Sequence, residues 1–275
     1  MTHPLFDLTG RVALVSGAAS GMGRQMALGL AEVGADLVLA DINQAGMEAT
    51  AHEISQLGRK AIPVRCDVSE PEQIRAMFAT LDREYGRIDV LGNVAGEGVR
   101  AHPLELREDQ IQLAFQNLVV GRYIATREAA KRMIAQGKGS IMSIVSIAGL
   151  SALGRSHIAY SMAMGAVAQM TRELSTEWAS SGVRVNAIVC AQITNKGLEE
   201  RMAQDHNLRD AYLRGLPIGR LGKPEEIKGL AIFLASDASS FITGALIPLD
   251  GGNLAKNAGG SHPGMPQDTE ADRAR

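Results

Sequence analysis

Between the first apolar run and the first segment of helical period, the chain reads Ser16-Gly17-Ala18-Ala19-Ser20-Gly21-Met22-Gly23. A turn of this kind, strand on one side and helix on the other, aims backbone N–H groups and the positive end of the helix dipole at a phosphate. Its glycines let a dinucleotide approach the backbone closely. The spacing is G-x-x-x-G-x-G rather than G-x-G-x-x-G, and no Gly-Lys-Ser/Thr ending is present, which excludes a P-loop. Eighteen residues past Gly23 stands Asp41, closing the run Leu37-Val38-Leu39-Ala40-Asp41. A carboxylate there can accept hydrogen bonds from an adenosine ribose and repels a 2′-phosphate. No Arg or Lys adjoins Asp41 in the sequence or precedes Gly21 in the turn. The residues therefore point to NAD rather than NADP. The alternative is that Asp41 is a helix N-cap, since a helical segment follows it.

These groups need a frame. Seven short runs, Val12–Ser16, Asp36–Ala40, Ala61–Cys66, Ile88–Asn93, Ser140–Ser146, Arg184–Val189 and Leu246–Leu249, are rich in Val, Ile and Leu. They are nearly continuous rather than alternating, as strands buried on both faces are. Between them lie segments of helical period. Met22–Val33 carries its apolar residues at Met22, Met26, Leu30 and Val33, and Ile158–Ala179 and Pro224–Ala235 have similar stripes. Ser69 with Glu72 reads as a capping box opening a further helix. The alternation predicts one α/β domain over residues 1–255, a parallel sheet of about seven strands with helices on both faces. The polar, Gly/Pro-containing segment 256–275 reads as a tail, disordered or docked on a neighbouring subunit.

Composition narrows the function classes. Hydrophobic residues at 45% and charged residues at 21% describe an ordinary soluble globular chain. A net charge of -2 gives no reason to expect a nucleic-acid or anionic-membrane partner. Two cysteines, Cys66 and Cys190, make no disulfide framework, and no Cys/His cluster suggests a metal. The first ten residues lack a basic and an apolar signal region, and no apolar run is long enough to span a bilayer. A cytoplasmic location is the default expectation.

Further along, the motifs resemble those of the short-chain dehydrogenase/reductase family, in order over about residues 5–255. Ser16–Gly23 resembles TGxxxGxG, with Ser for Thr. Cys66-Asp67-Val68 resembles the acidic end of the third strand, and Asn93-Val94-Ala95-Gly96 resembles NNAG, with Val at its second position. Asn117, Ser146 and Tyr160 match the catalytic Asn, Ser and Tyr, and Arg184–Ile188 and Leu249–Gly252 are also similar. The resemblance implies a Rossmann-like, doubly wound sheet. It also implies a cofactor site formed by Gly17, Ser20, Gly21, Met22, Gly23, Asp41, Ile42, Asp67, Val68, Asn93, Ala95, Gly96, Tyr160 and Ile193. The implied reaction is hydride exchange between NAD(H) and a secondary alcohol or ketone, a small-molecule substrate. Tyr160 would be the acid/base, Ser146 would hold the substrate oxygen, and Asn117 would position a water. Glu97, Arg155 and His157 join Ser146 and Tyr160 as implied substrate contacts. Arg100 and His102 could add to an anionic or polyhydroxylated pocket.

Two departures qualify the resemblance. The family's YxxxK is here Tyr160-Ser161-Met162-Ala163-Met164, and its Pro-Gly after strand six is Cys190-Ala191. A Lys one turn after the Tyr lies on the same helix face and lowers the phenol's pKa. A unit charge about 4 Å away is worth about 4 kcal/mol at an effective dielectric near 20, roughly three pKa units. Met164, at the catalytic Lys position, has no charge to offer. The chain then reads as an impaired enzyme, as an inactivated variant, as an enzyme helped by Arg155 or His157, or as a non-catalytic NAD-binding module. Gln192–Arg214 reads as a lid over the site. Cys190 reads as a small buried apolar residue, and Trp178 as core. The segments Asn117–Gln136 and Ile158–Ala179 resemble the family's subunit-pairing faces, implying a homotetramer or homodimer.

Overall fold

A computed structural model of the chain describes residues 3–154 and 156–258. Arg155 and the tail beyond Ala258 lie outside the described residues. Seven strands form one sheet: β1 (Val12–Ser16), β2 (Asp36–Asp41), β3 (Ala61–Arg65), β4 (Val90–Asn93), β5 (Gly139–Ser146), β6 (Val183–Cys190) and β7 (Leu246–Leu249). Their spatial order is β3-β2-β1-β4-β5-β6-β7, and every pairing is parallel. The chain winds outward from β1 in one direction, then returns to β4 and winds in the other. This is the doubly wound, Rossmann-like topology, and it opens a crevice at the carboxyl ends of β1 and β4 where the order reverses.

The helices divide between the two faces because successive strand residues point opposite ways. Ala13, Val15, Leu37 and Leu39 pack into one core with α1 (Gly21–Glu32), α2 (Gln44–Gln56) and α9 (Ile227–Ala235). Leu14, Val38 and Ile141 pack into a second with α3 (Pro71–Tyr85) and α5 (Gly121–Gln136). A third cluster joins Val145, Ile147, Ala187 and Val189 to α6 (Ile158–Trp178). The central strands are thus dry on both faces, which is why they read as continuous apolar runs, while the edge strands β3 and β7 are only partly covered. Trp178 packs half-buried against the second core.

One local reading needs correction, and one alternative falls away. No Ser69/Glu72 capping box forms. Pro71 occupies the first helical turn of α3, where its missing N–H costs nothing, so the cap falls on Glu70. Ser69 instead hydrogen-bonds the Asp67 carboxylate at 2.7 Å. Asp41 is likewise not the cap of α2. Asn43 is, accepting from Gly46 N at 3.1 Å.

The helix that begins as α4 (Glu108–Phe115) runs into α5 through a π-helical turn, Gln116–Val120. Two short helices, α7 (Lys196–Gln204) and α8 (His206–Leu213), form the segment read as a lid. Among the described residues no helix is long and apolar enough to cross a membrane.

Candidate active site

The glycine turn leaves β1 and enters α1 through two left-handed residues, Gly17 (φ 72°) and Gly21 (φ 53°). Gly23 is required for another reason. A Cβ there would lie 2.1 Å from the Gly17 carbonyl oxygen, so only hydrogen allows α1 to start this close to the strand. Ser16 fastens the turn to the neighbouring strand end, its hydroxyl accepting from Val94 N (3.0 Å) and Ala95 N (3.2 Å). Asp41 closes the other side, accepting from Ala19 N (3.1 Å) and Asn43 N (3.0 Å). Its carboxylate therefore orders the glycine turn while remaining at the rim. On the adjacent strand Arg65 stands in register opposite Asp41, a neighbour that only strand pairing brings near.

Together these residues line a cleft of about 450 Å³. Gly17, Ser20, Met22, Gly23, Asp41, Ile42, Asp67, Val68, Ala95, Gly96 and Asn117 all face it, as does Glu97. Glu97 thus lies with the nucleotide-shaped cleft, not with the pocket around Tyr160. Asn93 is turned inward. It is 1% exposed, and its amide donates to Thr126 Oγ1 (2.9 Å) and Ser143 Oγ (3.4 Å). Its side chain ties β4 to α5 and β5 and shapes the cleft from behind.

A second pocket, about 350 Å³, adjoins through Gly96–Gly98. Ser146, His157, Tyr160, Ile193 and Arg100 line it, with Leu198 and Tyr212 of the two short helices. Ser146 ends β5, and Tyr160 lies in the first turn of α6. The two hydroxyls are within hydrogen-bonding reach. Ser146 also accepts from Ala148 N at 3.1 Å, which fixes its rotamer. The Tyr160 ring packs edge-on to His157, with centroids 6.1 Å apart. On another side Gly98 passes so close that a Cβ would meet the ring at 2.6 Å. Burial pushes the Tyr160 phenol above its usual range, while the Ser146 hydrogen bond and the charge of Arg122 pull it back. His102 lies outside this pocket, its Nδ1 accepting from Leu104 N at 3.4 Å.

Met164 lines neither cavity. At 1% exposure it belongs to the third apolar cluster, with Leu118, Val145 and Ile147. Cys190 is buried too, its thiol pushed up to about 12 by burial, and its sulfur lies 3.8 Å from that of Met22. A thiol so held is unreactive at neutral pH.

One residue of the site escaped the sequence reading, and a second was named only as the start of the lid segment. Arg122 on α5 is 5% exposed and donates to the carbonyls of Val94 (3.2 Å), Ala95 (3.1 Å) and Ile144. The signal was present, because Leu118, Arg122, Ala125, Ala129 and Met133 follow a helical stripe that puts Arg122 on an otherwise apolar face. The second is Gln192, whose Oε1 is buried without a partner while the residue lines the pocket beside Tyr160. An orphaned acceptor there suits a donor brought by a bound molecule. The left-handed glycines, the close backbone approach at Gly23 and this free acceptor fit a nicotinamide dinucleotide lying across both cavities.

A family model described as enoyl-(acyl carrier protein) reductase matches residues 17–253. The chain belongs to the short-chain dehydrogenase/reductase family, oxidoreductases that use nicotinamide cofactors. It is 36% identical to a 2-dehydro-3-deoxy-D-gluconate 5-dehydrogenase of Pseudoalteromonas atlantica, over 91% of this chain and 98% of that one. It is 32% identical to an NAD-dependent glycerol dehydrogenase of Listeria innocua, covering 91% and 96%. Among solved structures, a gluconate 5-dehydrogenase from Burkholderia cenocepacia, in complex with NADP and tartrate, is similar at a TM-score of 0.85. It shares 32% identity, with 92% of this chain and 98% of that chain covered.

Proposed function

We propose that this chain transfers hydride between NAD(H) and a secondary alcohol of a small polyol or sugar acid. The observation that carries the reading is the Ser146–Tyr160 hydroxyl pair at the junction of the nucleotide-shaped cleft with a polar pocket. When bound, the dinucleotide would supply the hydride acceptor. Gly17 to Gly23 and the N-terminus of α1 would hold its phosphates, Asp41 the adenosine ribose, and Ile193 with Gln192 its carboxamide end. Ser146 would donate a hydrogen bond to the substrate oxygen. Tyr160 would take the hydroxyl proton as a phenolate during oxidation and return it as a phenol during reduction. Asn117, at the border of the cleft, would hold a water that passes protons onward.

NAD is preferred because Asp41 keeps a carboxylate at the ribose corner and Ile42 beside it offers no positive charge. Arg65, in register opposite Asp41, is the cation that would instead favour a 2′-phosphate. For the substrate, the relatives' printed activities on gluconate derivatives and glycerol agree with a pocket lined by Arg100, His157, Asn195 and Tyr212. Arg100 would face a substrate carboxylate. The helices α7 and α8 would act as its lid. Exposed Val120, Tyr123, Ile158 and Met162 on α5, its π turn and α6 support a subunit-pairing surface, and with it a homodimer or homotetramer.

Because Met164 is uncharged and turned into the core, turnover is expected to be slower than with a Lys there. The same observation favours a second reading, a module that binds NAD without turning over. NADH and NADPH binding by fluorescence, alongside NAD⁺ reduction with glycerol, threitol and gluconate, separates them. Turnover that Tyr160→Phe lowers by about 10²–10⁴, with NADH binding retained, supports the enzyme. Tight binding with no turnover on any alcohol supports the module and overturns the enzyme.

A further inference from the structure

Among the described residues no Lys or Arg other than Arg122 is buried. Burying a guanidinium is costly unless something compensates it. Here nothing ionic does. Its acceptors are three neutral carbonyls, those of Val94, Ala95 and Ile144, and no carboxylate pairs with it among the described residues. It therefore keeps a net positive charge in a low-dielectric interior, where charge acts over longer distances than in water. Its position is specific. Val94 and Ala95 follow β4 and line the nucleotide-shaped cleft, and Ile144 lies two residues before Ser146 on β5. The guanidinium sits between the strand ends that carry the two halves of the site. One turn beyond Tyr160, where α6 could have offered a charge, Met164 packs against Leu118, the residue one turn before Arg122.

We propose that Arg122 is a positioning residue whose fixed positive charge stabilises the Tyr160 phenolate, the form that accepts a proton, replacing the charge that position 164 lacks. The proposal rests on Tyr160 being the acid/base of the site. Arg122 lines neither cavity and acts through space. The direction of the electrostatics agrees. Arg122 pulls the Tyr160 phenol down against the rise caused by burial; burial draws the guanidinium downward too, but a guanidinium keeps its proton inside a protein. The other titratable or charged groups facing Tyr160 are His157 from the start of α6, Cys190 from the end of β6, and Arg100 and Tyr212 across the pocket. Cys190 acts in the opposite direction, raising the phenol.

The test reads the phenol directly, without substrate. Tyrosinate absorbance is titrated in the intact protein and in Tyr160→Phe, and the difference isolates Tyr160. The same pair is then measured with Arg122→Gln, which is neutral but still able to donate to a carbonyl, and with Arg122→Lys. The expected result is a Tyr160 midpoint raised by about one pH unit or more in Arg122→Gln, a tenfold loss of phenolate at fixed pH. Arg122→Lys should raise it in the same direction, because a buried ammonium loses its proton where a guanidinium keeps it. A structural role alone would move the melting temperature in both variants and leave the titration in place. An unchanged midpoint in folded Arg122→Gln overturns the proposal. Where Arg122→Gln does not fold, Arg122→Lys decides: a midpoint raised by about a unit supports the proposal, and an unchanged one overturns it. Because no turnover is needed, a chain inactive on every alcohol would defeat the hydride-transfer reading and leave this result legible.

Discussion

Asp41→Asn isolates one carboxylate charge at the ribose corner with little change of shape. Asn keeps an oxygen for Ala19 N or Asn43 N, the two donors that Asp41 satisfies at 3.1 and 3.0 Å. What it removes is the repulsion of a 2′-phosphate. Asp41 is half-buried at the rim, so the effective dielectric lies between that of water and that of a protein surface. A unit charge pair about 5 Å apart is then worth about 1–3 kcal/mol, about 5- to 150-fold in affinity. The loss for NADH is one charge-assisted hydrogen bond to the ribose, about 1.5–3 kcal/mol. The two effects move in opposite directions, so the ratio of NADPH to NADH affinity should rise by at least about tenfold. Dissociation constants for both nucleotides, measured by fluorescence in parent and variant at one ionic strength, give that ratio. If it stays within about twofold, Asp41 does not select the cofactor, and Arg65 across the strand pair becomes the group to examine.

Three other perturbations follow from the geometry. Ser16→Ala leaves the Val94 and Ala95 amides without their shared acceptor, and at about 1–3 kcal/mol per buried group it should lower the urea midpoint, with Ser16→Thr largely restoring it. The Tyr160 phenol is raised in the folded chain, so the unfolded chain releases that proton first and stability falls as pH rises past about 10. The melting temperature of Tyr160→Phe should accordingly lose less than the parent's between about pH 9 and 11, and equal losses would contradict the raised phenol. Cys190, pushed up to about 12, and Cys66, pushed up to about 11 by burial and by Asp67, should resist iodoacetamide in the folded protein at pH about 8. Intact mass before and after denaturation measures this.

The sheet was legible because its central strands are buried on both sides, so their apolar runs are unbroken, and the predicted spans match the observed ones to within a few residues. The glycine turn was legible because its spacing is a backbone requirement, visible in Gly23 against the Gly17 carbonyl. Caps were less so. Pro71 overrode the Ser69/Glu72 pattern, since a residue without an N–H settles at the start of a helix. Asn93 shows a different limit. Its position beside the cleft follows from the strand, but the direction of its amide depends on Thr126 and Ser143, contributed by segments far off in sequence. Arg122 belongs to no motif of the resemblance, and Gln192 was legible only as the start of the Gln192–Arg214 segment. Both reach the site through tertiary packing, although the helical stripe already placed Arg122 inward.

The π turn at Gln116–Val120 sets the phase of the helix that passes through it. An α-helix advances about 100° per residue, so the one extra residue held in that turn lets Asn117 look toward the cleft while Arg122, on the next turn, looks beneath it. Deleting a single residue there would regularise the helix and rotate one of the two out of place, with every apolar contact of α5 pulling to keep Arg122. Such a deletion is expected to leave a folded chain whose Asn117 has swung off the cleft. The alignment of the two halves of the site therefore depends on an irregularity of the backbone as well as on the side chains it carries.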